Sequence, residues 1–108
     1  MTIDIDDLKK RYPNPSRGRN KISMPFGCYC VGGAFLHYLQ NYFGLHAITA
    51  IEFPSSRILA DGIQVANPSL TLGGAIDYAL WVIAANDSGR FGRAWELLDE
   101  AINTRWRQ

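Results

Sequence analysis

The sequence predicts an all-α fold, a compact bundle of about four main helices preceded by an N-terminal arm. Three observations carry that expectation. Apolar residues recur at three- and four-residue spacing through most of the chain, and clusters of proline, glycine, serine and asparagine separate those segments. The one β-branched stretch, Ile48 to Ile51, has no second strand to pair with. With 108 residues, 47% hydrophobic and 19% charged, the chain is long and apolar enough for one core. Residues 1–25 read as a basic arm with a short helix, and residues 26–108 as a single helical domain.

Each element has its own signal. Residues 4 to 11 suit a short helix, which Pro13 and Pro15 stop, and the run from Pro13 to Pro25 is loop-forming in composition. From Cys28 to Phe43, Cys28, Val31, Gly32, Phe35, Leu36, Leu39, Tyr42 and Phe43 form one apolar face, and Gly44 is placed to end the helix. Residues 45–53 are read as a connector. Pro54, Ser55 and Ser56 start a helix over 55–66 with Ile58, Leu59, Ile63 and Ala66 inward, although Gly62 interrupts it; Asn67-Pro68 stops it. Ser69 or Thr71 can cap a helix over 71–85 that is apolar on nearly every side, as befits the middle of a bundle. The last helix, over 90–105, carries Phe91, Ala94, Trp95, Leu98, Ala101 and Ile102 on one stripe, with Asn86 and Asp87 read as its N-terminal cap. Trp81 and Trp95 are expected in the core and Trp106 at an exposed end. The glycine pairs Gly32-Gly33 and Gly73-Gly74 suggest close packing, by the two helices crossing there in preference to a dimer interface, since each glycine costs a helix about 1 kcal/mol relative to alanine.

Charge narrows the functional classes. The formal net charge is +1, too small to attract nucleic acid or an anionic membrane to the whole molecule. Lys9, Lys10, Arg11, Arg17, Arg19 and Lys21 nevertheless concentrate positive charge before a mildly acidic body. That arm allows nonspecific phosphate contacts, but no reading element stands behind it. The acidic start lacks a secretory leader, and the apolar run from Leu72 to Ala85, interrupted by Asp77, falls short of a bilayer span. A cytoplasmic protein without membrane partners is expected. Cys28 and Cys30, two apart, point to opposite sides of a helix, which disfavours a disulfide between them.

Candidate chemistry is sparse. On the helical wheel Cys30, Gly33, Ala34, His37 and Asn41 share one face, which invites a cysteine-hydrolase reading. Cys30 and His37 are separated by about 10 Å of helical rise, too far for a direct hydrogen bond. His46, beyond Gly44, is the other imidazole able to approach the thiol. One Cys-x-Cys with two histidines lacks the paired spacing of a zinc site, so neither a metal nor a cofactor is expected. Asp87 reads first as a helix cap, whereas Arg90 and Arg93, at a helix start where the dipole disfavours cations, offer an anion site.

At Tyr29-Cys30-Val31-Gly32-Gly33-Ala34 and Asn86-Asp87-Ser88-Gly89-Arg90-Phe91, followed by Ala94-Trp95 and Leu98, the chain resembles a family of small uncharacterised bacterial helical proteins. Phe53-Pro54 and Asn67-Pro68-x-Leu70 also fit, and the resemblance spans residues 26 to 102. It implies a bacterial, cytoplasmic setting and a shared helical fold, and brings no activity or cofactor. Arg90, Gly92 and Arg93 stand where the pattern usually has acidic residues. The leading expectation is a non-catalytic interaction module that binds a protein partner or itself, through the small-residue face around Cys30, Gly33 and His37, with Asn86 and Asp87, or through the end near Trp106. The alternatives are a thiol-dependent or small-molecule-binding enzyme using Cys30, His46 and Asp87, and nonspecific nucleic-acid binding through residues 9–21.

Overall fold

A computed structural model describes residues 3–13, 15, 30–43 and 55–107. Five helices appear among them: α1 (Ile5–Arg11), α2 (Val31–Phe43), α3 (Ser55–Ala66), α4 (Leu72–Asp87) and α5 (Phe91–Asn103), with no strand. The connector at 45–53 and most of the basic arm lie outside the described residues.

Local chemistry explains the helix ends. Asp4 caps α1 by accepting from the Asp6 and Asp7 N–H groups, and Asp6 and Asp7 occupy its first turn while Lys9, Lys10 and Arg11 occupy its last. Half of the basic cluster therefore belongs to a helix C-terminus, where the dipole favours cations. Thr71 caps α4, its Oγ1 accepting from the Gly74 N–H at 3.1 Å. The other end of α4 corrects the sequence reading, because Asn86 and Asp87 are its last two residues and not the cap of α5. Gly89 takes a φ of 80°, its N–H donates to the Asn86 carbonyl, and the Arg90 N–H reaches back to the Ala85 carbonyl. That pair of bonds is a Schellman closure, which requires the left-handed conformation that glycine adopts without a steric cost. Arg90 stands at the N-cap of α5 with no side-chain cap bond.

Helix α4 is central, packing along α3 and α5 and also meeting α2, while α1 rests on α2 and α5. Leu8, Val31, Phe35, Leu39, Ile63, Val82, Leu98 and Ala101 fill the core. The glycine pairs do not cross. Gly73 faces open space, and a Cβ at Gly32 would meet the Leu59 side chain of α3. The tight approach is instead at Gly62 of α3, where a Cβ would lie 2.6 Å from Leu36 Cδ2 and 3.4 Å from Leu39 and Phe35. These three α2 residues are fully or almost fully buried, so the interruption in the α3 pattern is what lets α2 seat. Gly62→Ala is expected to destabilise the chain by about 1–2 kcal/mol, overpacking outweighing the gain in helix propensity, as read by urea unfolding.

Of the tryptophans, Trp95 is buried as expected. Trp81 is not: it is 50% exposed beside Leu80, on the side of α4 that α2, α3 and α5 leave uncovered. Trp106 is half-buried, because residues 104–107 leave the α5 helix and fold back on the α3–α4 turn. Asn67 holds them there. Its Nδ2 donates to the Ala101 and Thr104 carbonyls at 2.9 and 2.6 Å, and its Oδ1 accepts from the Ser69 N–H and hydroxyl. Ser69 Oγ in turn accepts from the Trp106 N–H.

Candidate functional site

The two motif-bearing segments meet in space. Val31, the first residue of α2, donates its N–H to Asn86 Oδ1 at 2.9 Å, and Asn86 is only 2% exposed at the end of α4. A helix start carries N–H groups with no partner inside the helix, and a buried one must find an acceptor. Asn86 supplies it across 55 residues of sequence.

Cys30 stands immediately before α2 as its cap. Its carbonyl accepts from the Ala34 N–H at 2.9 Å, and its Sγ accepts from the Gly33 N–H at 3.2 Å. Cys30 is partly exposed and disulfide-bonded, contrary to the sequence expectation. That expectation assumed a helix running through the Cys-x-Cys segment, whereas α2 begins one residue after Cys30, so helical side-chain directions do not apply there. Cys28, the other cysteine of the chain, lies outside the described residues, as does His46.

The remaining residues on the small-residue face are occupied elsewhere. Gly33 and Ala34 are buried. His37 sits two turns further along α2, its ring edge-on to Tyr12, with the Tyr12 hydroxyl at its Nδ1 and the Asn41 amide nitrogen 3.2 Å from both ring nitrogens. His37 thus fastens α1 to α2, together with the Tyr38 hydroxyl, which donates to Asp7 at 3.0 Å. Arg11 on one side and Tyr38 on the other hold the Asp7 carboxyl below its ordinary value.

Beyond Asn86, Asp87 is exposed on the same turn. Arg90 Nε donates to Ser88 Oγ at 2.9 Å, and Arg93 pairs with Glu96 at 3.3 Å on an exposed face. The two guanidinium groups therefore serve separate neighbours. Among the described residues no group of three His, Cys, Asp or Glu side chains is placed to hold a metal ion.

A second surface joins Trp106, at the end of the chain that the sequence offered for binding, to Trp81, which the sequence placed in the core. Tyr78 packs edge-on against Trp81 at 5.0 Å between ring centroids and in a tilted arrangement against Trp106 at 5.5 Å, so two tryptophans flank one buried tyrosine. Burial, and then a hydrogen bond to Glu100, push the Tyr78 phenol up to about 12. Since the folded value lies above the ordinary one of 10, the associated stability is complete below pH 10 and is lost as pH rises towards 12. Tyr78→Phe should flatten that alkaline loss, measured as urea midpoints at pH 9 and pH 11.5. For Trp81 the only signal in the sequence was the aromatic content of residues 78 and 81, and it pointed inward.

No helix among the described residues is long and apolar enough to cross a membrane. No family model, curated protein or solved structure matches the chain.

Proposed function

We propose that the chain is a protein-interaction module that docks a helix of another protein on the uncovered face of α4. One observation carries this reading: Leu80 and Trp81, 49% and 50% exposed, stand side by side on a helix whose other faces are packed. Large apolar side chains held out into water are costly unless something covers them, and tryptophan is over-represented among the residues that dominate binding energy. Gly73, Asp77, Leu80 and Ala84 lie on the same exposed side at alternating four- and three-residue spacing, so the small and apolar residues beside Trp81 form one stripe along the helix, broken by Asp77. Trp81 is braced from behind by Tyr78, which limits the side-chain entropy lost on binding.

This reading moves the interaction surface away from the Cys30–Gly33 face, whose glycine is buried. The test uses three baits: the native chain, Trp81→Glu, and Lys10→Glu as a control on the far helix α1. Recovery of one stoichiometric partner by the native and control chains, with loss by Trp81→Glu, supports the proposal. Equal recovery by all three, or by none, sinks it. Light scattering on the same proteins identifies the special case in which the partner helix is α4 of a second copy.

A further inference from the structure

We propose that the helix docked on α4 is a basic amphipathic one: its apolar stripe covers Leu80, Trp81 and Ala84, and lysine or arginine side chains beside that stripe meet Asp77 and Asp87. The chemistry of the partner, which presupposes that α4 is a docking face, follows from the charges there. Helices α1, α3 and α5 each pair a carboxylate with an arginine of the same helix: Asp7 with Arg11, Asp61 with Arg57 and Glu96 with Arg93. Helix α4 does not. Its charged residues are Asp77 and Asp87, both exposed, and neither makes an ion pair among the described residues.

The two carboxylates bracket the apolar patch. They stand about 15 Å apart along the helix axis, with Leu80, Trp81 and Ala84 exposed between them. Asp87 is unfavourable for its own helix, since it lies in the last turn, where the dipole opposes an anion and no basic residue compensates it. Glu100 of α5 adds a third carboxylate on the Trp81 side, hydrogen-bonded to the Tyr78 side chain that braces the indole.

The nearest arginines are engaged elsewhere, Arg90 with Ser88 and Arg93 with Glu96. Arg105 and Arg107 flank Trp106 on the segment bonded to the α3–α4 turn, at the opposite end of α4 from Asp87. A partner lysine or arginine on this face meets carboxylates already in place, and the half-exposed Trp81 ring attracts the same group through its quadrupole. A second copy of α4 is disfavoured by the same charges, because the two helices would bring only carboxylates together.

The test uses three designed helical peptides that share one leucine stripe and carry lysine and arginine, glutamine, or glutamate at the other positions, each titrated calorimetrically into the full-length chain. The basic peptide should bind about tenfold more tightly than the glutamine peptide, and the glutamate peptide more weakly than either. Raising the salt from about 0.05 M to about 0.5 M should erase that order. Asp77→Asn/Asp87→Asn, a change at two exposed positions, should bring the basic peptide down to the affinity of the glutamine peptide, and Trp81→Ala should weaken all three about tenfold. Equal binding of the basic and glutamine peptides, both weakened by Trp81→Ala, overturns the basic partner and leaves the docking face standing. Binding of no peptide, or binding that Trp81→Ala leaves unchanged, overturns both. A dimer by light scattering that Trp81→Ala dissociates assigns the face to a second copy and overturns the basic partner.

Discussion

Asn86→Ala lowers the free energy of unfolding by about 2–3 kcal/mol, because it leaves the Val31 N–H buried without its acceptor. The loss exceeds that of an ordinary exposed cap, where water replaces the missing oxygen. Asn86→Asp separates the possible causes. It keeps an acceptor at the same place and adds negative charge at the N-terminus of α2, but also at the C-terminus of α4, where the dipole opposes it. It should recover part of the stability and not all of it. Urea denaturation of the three chains at pH 7 gives the order native, Asp, Ala; hydrogen exchange at Val31 should accelerate most in the Ala variant. An Asn86→Ala chain as stable as the native one would mean that the α2–α4 junction is held by packing alone.

Asn67→Ala produces a loss of similar size, about 2–4 kcal/mol, by a different route. Here one buried amide makes four hydrogen bonds, two to the carbonyls of Ala101 and Thr104 and two from Ser69. Removing it frees residues 104–107, and Trp106, whose indole N–H donates to the Ala101 carbonyl, loses the register that sets it against Tyr78. The variant should therefore show a red-shifted tryptophan emission before global unfolding, which Asn86→Ala should not. Native-like emission in Asn67→Ala up to the unfolding transition would show that Trp106 is seated by its own packing.

What the sequence made legible, and what it did not, follows from the kind of signal involved. The α5 stripe was readable because a polar face opposes it, and Ala94, Trp95, Leu98, Ala101 and Ile102 are all buried as the spacing required. Trp81 was misplaced for the converse reason: α4 is apolar nearly all round, so no polar face indicated which side met solvent. Asn86 and Asp87 were read as opening α5 because Asn and Asp commonly cap an amphipathic run. The competing signal, Gly89 after them, marks the end of a helix, and the structure follows the glycine. The role of Cys30 as a cap escaped because sulfur is a weak acceptor, and the bonds of Asn67 escaped because backbone carbonyls leave no mark on a sequence. Gly62 was seen as a flaw in α3 when it is the place where the Phe35, Leu36 and Leu39 side chains of α2 seat against it.

The joint between Val31 and Asn86 also has a kinetic meaning. Helices α3, α4 and α5 are joined by short turns and can pair at small entropic cost, whereas the first N–H of α2 waits for an acceptor 55 residues away. The bond from the Asn103 amide to the Ile3 carbonyl, spanning 100 residues, delays α1 in the same way. Loop-closure entropy therefore favours pairing of α3, α4 and α5 before α2 and α1 dock, and mutations at Asn86 should speed unfolding far more than they slow folding. During synthesis α1 and α2 leave the ribosome before α4 and α5, the helices against which they dock.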